Sequence, residues 1–132
     1  MLDVNFIPDD SLMSSEKTPV YFMPGMAANP KIFENIQLDA AVFDIHYLSW
    51  ELPHKNESLQ SYASRIAQRI RCKSPVLVGV SFGGILVQEI AKIIAVRKII
   101  VISSVKSTRE LPKRMLFAKH TNIHKLLPTQ LV

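Results

Sequence analysis

Residues 75–87 read Pro75-Val76-Leu77-Val78-Gly79-Val80-Ser81-Phe82-Gly83-Gly84-Ile85-Leu86-Val87. The first six form a continuous apolar, β-branched run, which predicts a buried strand over 75–80. From Gly83 to Ala95 the chain is apolar on most sides, with Ile85, Leu86, Val87, Ile90, Ile93 and Ile94, and this predicts a buried helix. Between them the chain must turn from strand to helix within a residue or two. Such a reversal strains the backbone and pushes one side chain, that of Ser81, clear of both elements. Glycines at 79 and 83 remove the β-carbons that would collide where the chain crosses itself. The serine at the apex precedes a helix N-terminus, whose free N–H groups and dipole favour developing negative charge. A positive φ at Ser81 is therefore expected, at a cost of about 1–3 kcal/mol.

Working outward, residues 98–103 (KIIVIS) repeat the buried-strand pattern downstream. Upstream, residues 58–71 place Leu59, Tyr62, Ala63, Ile66 and Ile70 at helical spacing, with Arg65, Gln68, Arg69 and Arg71 elsewhere. Residues 41–48 (AVFDIHYL) alternate as a strand with one better-buried face. Residues 19–23 (PVYFM) are a short strand ending at Pro24-Gly25, and Asn29-Pro30 then offers a cap and a first helical position for a short helix. Residues 50–56 read as a loop. Strands alternating with helices imply crossovers and a mostly parallel sheet with helices on both faces, a three-layer α/β/α arrangement. After Ser104 the pattern becomes Pro-punctuated, with amphipathic pieces over 115–127, a short helical C-terminal segment. The 132 residues suit one domain: an N-terminal segment over 1–18, a core over 19–104, and a further segment over 105–132.

Composition narrows the function classes. A 48% hydrophobic content excludes wholesale disorder, and one cysteine excludes a disulfide framework or a Cys-rich zinc module. No apolar run approaches the roughly 18 residues of a membrane span, and the start MLDVNFIPDD has no signal-peptide pattern, so a cytoplasmic location is expected. Net charge runs from −6 over residues 1–60 to +4 over 61–96 and +7 over 97–132. A basic end is compatible with nucleic acid or acidic lipid, but Lys106, Arg109, Lys113, Arg114, Lys119 and Lys125 are loosely spaced with only Phe117 among them. No nucleic-acid partner is expected.

The Gly79–Gly84 turn fails the phosphate-loop patterns. A dinucleotide fingerprint would need glycine at 81, and a P-loop would need Lys and Ser or Thr after Gly84, where Ile85 and Leu86 stand. A plain tight βα turn and a nucleophile elbow remain, and the strand–turn–helix context favours the elbow; at these residues the chain resembles the α/β-hydrolase family over most of 19–104. The loop Met23-Pro24-Gly25-Met26-Ala27-Ala28 matches the family's oxyanion loop at Gly25, with proline where members often carry histidine. The resemblance implies Ser81 as nucleophile, Met26 and Phe82 as backbone N–H donors of an oxyanion hole, and Gly79 and Gly83 as elbow glycines. It implies a carboxylic ester or thioester as substrate, acyl transfer as the reaction, and no cofactor or metal.

The family's acid and base should follow the serine along the chain. After Ser81 the acids are Glu89, which points away two turns into the helix, and Glu110. His120 and His124 fall where relatives carry a cap, and read as surface histidines. His46 reads as a hydrogen-bonded structural residue, His54 as a loop residue, and Cys72 as a small half-buried apolar side chain. The triad acid and base are thus expected to be absent. The pattern is that of an incomplete hydrolase-like core: a fragment, a truncated gene product or a section of a longer chain, turning over weakly or not at all. Two alternatives follow: a non-catalytic hydrolase-like binding module, or a basic protein binding nucleic acid or acidic lipid. In the family's strand order 98–103 lies beside 75–80, so an uncovered 98–103 strand would be an edge open to self-association.

Overall fold

The computed structural model describes residues 16–106, the 1–15 and 107–132 segments lying outside it. Four strands, β1 (Thr18–Met23), β2 (Phe43–Tyr47), β3 (Val76–Val80) and β4 (Lys98–Ile102), form one sheet in the order β2-β1-β3-β4. Every pairing is parallel, with Val20 opposite Ile45 on one side and Val76 on the other, and Val78 opposite Ile100. This is an α/β fold. The expected 115–127 helical pieces, His120 and His124 lie outside the described residues.

The connections explain the layering. Two α-helices, α1 (Leu59–Ala67) between β2 and β3 and α2 (Phe82–Ile90) between β3 and β4, pack on the same face, where Tyr62, Ala63, Ile66, Leu86, Val87 and Ile90 bury against Tyr21, Met23 and Leu77. Right-handed crossovers that step across the sheet in one direction must share a face. The β1-to-β2 connection steps the other way and crosses the opposite face, where it forms a 3₁₀ turn (Pro30–Phe33). Phe33 there closes a second cluster with Val20, Phe22 and Val78. Among the described residues helical cover is therefore unequal: two α-helices on one side, one 3₁₀ turn on the other. Over β3 and β4 this thin side leaves a hollow of about 390 Å³ whose walls include Val78, Lys98, Ile100 and Ile102.

Local chemistry sets the boundaries. Asn29 caps the 3₁₀ turn as expected, its Oδ1 accepting from Lys31 N–H at 2.9 Å. Ser58 caps α1, accepting from Ser61 N–H at 3.1 Å. The second strand starts later than the alternation at 41 suggests. Asp39 holds residues 41–43 in a turn, its side chain accepting from Ala41 and its carbonyl from Val42 and Phe43. Both helices end earlier than their apolar patterns: α1 stops before Ile70, which is buried beyond the helix, and α2 stops before Ile93 and Ile94. Ile70 and Ile94 continue the apolar pattern because the turns that carry them still pack on the core, whereas Ile93 is exposed.

Candidate functional site

The last residue of β3 is Val80 and the first of α2 is Phe82, so Ser81 alone makes the reversal. Its backbone lies at φ 53°, ψ −123°, a region that L-residues rarely adopt. Two hydrogen bonds hold it there: Ser81 N–H donates to Ile102 O, and Gly84 N–H donates to Ser81 O, both at 2.9 Å. The first ties the turn to the end of β4, so the strain is borne by the sheet. The side chain is exposed, and among the described residues its hydroxyl makes no hydrogen bond.

The loop after β1 lies directly beside it. A β-carbon on Gly25 would stand 3.4 Å from Ser81 Cβ and 4.0 Å from Ser81 Oγ. Gly83 is pressed against the same loop: a β-carbon there would come within 2.4 Å of Pro24 O and 2.5 Å of Met23 O. At Gly79 it would meet Gly83 O at 2.4 Å, and at Gly84 the Ser104 side chain at 2.6 Å. These are all four glycines of the chain, and none has positive φ. Gly79, Gly83 and Gly84 serve close approach, whereas a β-carbon on Gly25 would make only ordinary contacts.

Residues 25–28 form a β-turn closed by Ala28 N–H donating to Gly25 O at 3.1 Å, with Ala27 at φ 63° in its third position. The Met26 N–H is not used by such a turn, and the Phe82 N–H belongs to the first turn of α2, whose N–H groups have no helical acceptor. Among the described residues neither donates a hydrogen bond. Ser81, Gly25, Met26, Phe82, Gly79 and Gly83 are thus gathered at the C-terminal edge of the sheet, between two neighbouring strands whose following loops leave on opposite faces. Open α/β sheets form their crevices at such points.

Trp50 is the residue that sequence reasoning passes over as the start of a loop. Its indole N–H donates to Gly25 O at 2.8 Å and to Pro24 O at 3.1 Å. Its ring lies 5.6 Å from the Phe82 ring and 5.8 Å from that of Tyr62. With Ala27, Ala28, Asn29, Pro30 and Ser49 it lines a hollow of about 260 Å³. A tryptophan at the exit of a strand was the available signal, since a half-buried indole N–H seeks an acceptor.

The segment carrying Trp50 is clamped to α1. Tyr62 OH donates to Glu51 O and accepts from Glu51 N–H, each at 2.9 Å, and burial raises the Tyr62 pKa. Arg65 binds Glu57 at 2.8 Å, Glu51 and the Leu52 carbonyl, while Arg69 reaches Glu51 at 3.0 Å. Arg65 on α1 and Arg69 just beyond its end are the clamp. The Arg65 guanidinium, mainly by its hydrogen bonds, holds the Glu57 carboxyl down at about 2.

The other singled-out residues sit elsewhere. His46 stacks on Tyr21 at 4.5 Å and bonds Asp44 at 2.7 Å, a structural pairing. His54 lies in the loop, its N–H donating to Glu57 Oε2 at 2.8 Å. Glu89 pairs with Lys92 at 2.6 Å on the outer part of α2. Cys72 is half-buried against the core. No described histidine or carboxylate is hydrogen-bonded to Ser81. Among the described residues no three His, Cys, Asp or Glu group as a metal site, and no helix is long and apolar enough to cross a membrane.

Fold and site together define an α/β protein with a strained, exposed serine between a parallel strand and a helix. Residues 25–124 match the model of the Uncharacterised protein family (UPF0227), and the chain belongs to that family. No curated protein and no solved structure matches it.

Proposed function

We propose that the protein is a serine hydrolase acting on a carboxylic ester or thioester by acyl transfer through Ser81. The observation that carries this reading is the Ser81 backbone, at φ 53° and ψ −123°, with the Gly25 loop against its side chain. Strain of this kind is retained where surrounding structure enforces it, and it clusters at reacting groups. In the reaction Ser81 Oγ bonds to the substrate carbonyl carbon, and the carbonyl π pair moves onto its oxygen. The Met26 and Phe82 N–H groups stabilise that oxyanion. Collapse expels the alcohol or thiol, and water releases the acid from the acyl-serine.

The serine proton needs an acceptor. None of the described histidines or carboxylates is bonded to Ser81, and where solvent water takes the proton turnover is slow. Residual catalysis of about 10³–10⁴ over water is typical where an oxyanion site works without its base. A hydroxyl without a partner among the described residues equally favours a second reading, a hydrolase-like module that binds without catalysing.

An alkyl fluorophosphonate probe separates the two. Covalent labelling of Ser81, abolished in Ser81→Ala, is expected for the hydrolase; a folded protein that takes no label is the binding module. No nucleic-acid partner is expected in this reading, and salt-sensitive binding to DNA or RNA would count against it.

A further inference from the structure

The Gly25 carbonyl and the Met26 N–H are two ends of one peptide unit. The peptide is planar, and none in the described chain is cis, so the two groups point in opposite directions. Whatever fixes the carbonyl fixes the N–H. The Gly25 carbonyl accepts two hydrogen bonds, from Ala28 N–H at 3.1 Å and from the Trp50 indole at 2.8 Å. The first closes the turn and is local. The second arrives from the exit of β2 and is the shorter of the two.

We propose that Trp50 is a positioning residue for the oxyanion site: its indole N–H orients and polarises the Gly25–Met26 peptide, while its ring braces Phe82. The proposal rests on the reading of Ser81 as an acyl-transfer nucleophile. One side chain thereby touches both peptide segments from which the oxyanion donors come. A hydrogen bond to a peptide oxygen draws charge from the amide and makes its N–H a stronger donor, by about 10–30% per bond. The indole is itself held on two sides, by the ring of Tyr62 and through the following residue, Glu51, whose N–H and carbonyl both bond Tyr62 OH. Arg65 and Arg69 add ion pairs to the Glu51 side chain. The donor is therefore aimed by α1, an element with no residue at the site.

Trp50→Phe retains an aromatic ring against Phe82 and Tyr62 while removing the donor and the volume of one ring. The probe is the same alkyl fluorophosphonate: Ser81 Oγ bonds to phosphorus, fluoride leaves, and the proton passes to solvent. In Trp50→Phe the maximal labelling rate should fall about fivefold to tenfold, the range of one net hydrogen bond. The probe concentration giving half-maximal rate should stay within about twofold. A purely structural role would lower the melting temperature and leave the rate of the folded protein unchanged, and that result overturns the proposal. So does an unchanged rate in a protein of unchanged stability. If Ser81 of the unaltered protein takes no label, the hydrolase reading fails first, and the positioning role falls with it. A second measurement needs no substitution and no activity. In the isotope-labelled protein the Trp50 indole nitrogen should show scalar coupling across the hydrogen bond to the Gly25 carbonyl carbon. Its absence overturns the proposal even where Trp50→Phe fails to fold.

Discussion

Gly83 lies under Pro24 with no room for a methyl group: a β-carbon there would stand 2.4 Å from the Pro24 carbonyl oxygen. Gly25, one residue on from that proline, would place its β-carbon at an ordinary 3.4 Å from Ser81 Cβ. The two glycines should therefore fail in opposite ways. Gly83→Ala must move backbone, and overpacking of this kind costs about 1–3 kcal/mol. Its melting temperature is expected to fall by several degrees. Gly25→Ala should melt within about two degrees of the parent, yet its methyl stands 4.0 Å from Ser81 Oγ and obstructs an incoming carbonyl. Its fluorophosphonate labelling should drop by an order of magnitude or more. Equal stability losses in the two variants would contradict this geometry.

Ser81→Gly should stabilise the fold while destroying its reactivity. Glycine adopts φ 53°, ψ −123° without the clash that serine suffers there. Relief of about 1–3 kcal/mol of strain is set against roughly 0.5–1 kcal/mol of added chain entropy. The expected net gain is on the order of 1 kcal/mol, read as a raised urea midpoint with unchanged slope. A lowered midpoint would show that the serine conformation is not strained.

This serine is legible in the sequence for a reason that does not extend to its neighbours. A strand-to-helix reversal in one residue needs glycines at fixed offsets, and those offsets are local in the chain. The approach of Gly25 follows from the parallel pairing of β1 with β3; the apolar runs announce the two strands but not that they are neighbours. Trp50 is different. Its acceptors lie 25 and 26 residues back, and nothing in the loop sequence encodes that distance. The clamp by Arg65 and Arg69 is hidden for the same cause, since helical spacing marks a polar face without naming its partners. Apolar spacing over-extends the helix ends because Ile70 and Ile94 reach the core from turns, while Ile93 is apolar and exposed.

Acid should loosen the segment that carries Trp50. Glu57 titrates at about 2 in the folded protein against 4.5 as its ordinary value, chiefly through the hydrogen bonds of Arg65. The folded chain thus resists protonation at a pH where the unfolded chain accepts it. The stability from this pair is fully present above about pH 4.5 and is lost as pH falls toward 2. In Glu57→Gln the decline of the urea midpoint between those values should be shallower than in the parent. Superimposable declines would show that the ion pair is silent.

Among the described residues β4 has a neighbour only on its β3 side, and Ile100 and Ile102 are 41% and 39% exposed on the thin face. An apolar edge with no charge beyond its first residue, Lys98, is a template for pairing. The chain is expected to self-associate in sedimentation velocity runs, increasingly with concentration. Ile100→Lys should shift the distribution toward monomer. A parent that stays monomeric at high concentration would mean that residues outside 16–106 cover the edge.

The contact between Gly25 and Ser81 also has a meaning in time. Gly25 belongs to the crossover that leaves β1 on one face, and Ser81 to the crossover that leaves β3 on the other. Neither half encloses the serine alone, and the two are joined by a parallel pairing between distant parts of the chain. Such pairings form slowly, because the loop entropy is lost before any contact offsets it. A serine-directed label added during refolding would therefore report when β1 and β3 meet, and its onset would mark the assembly of the sheet rather than the formation of its helices.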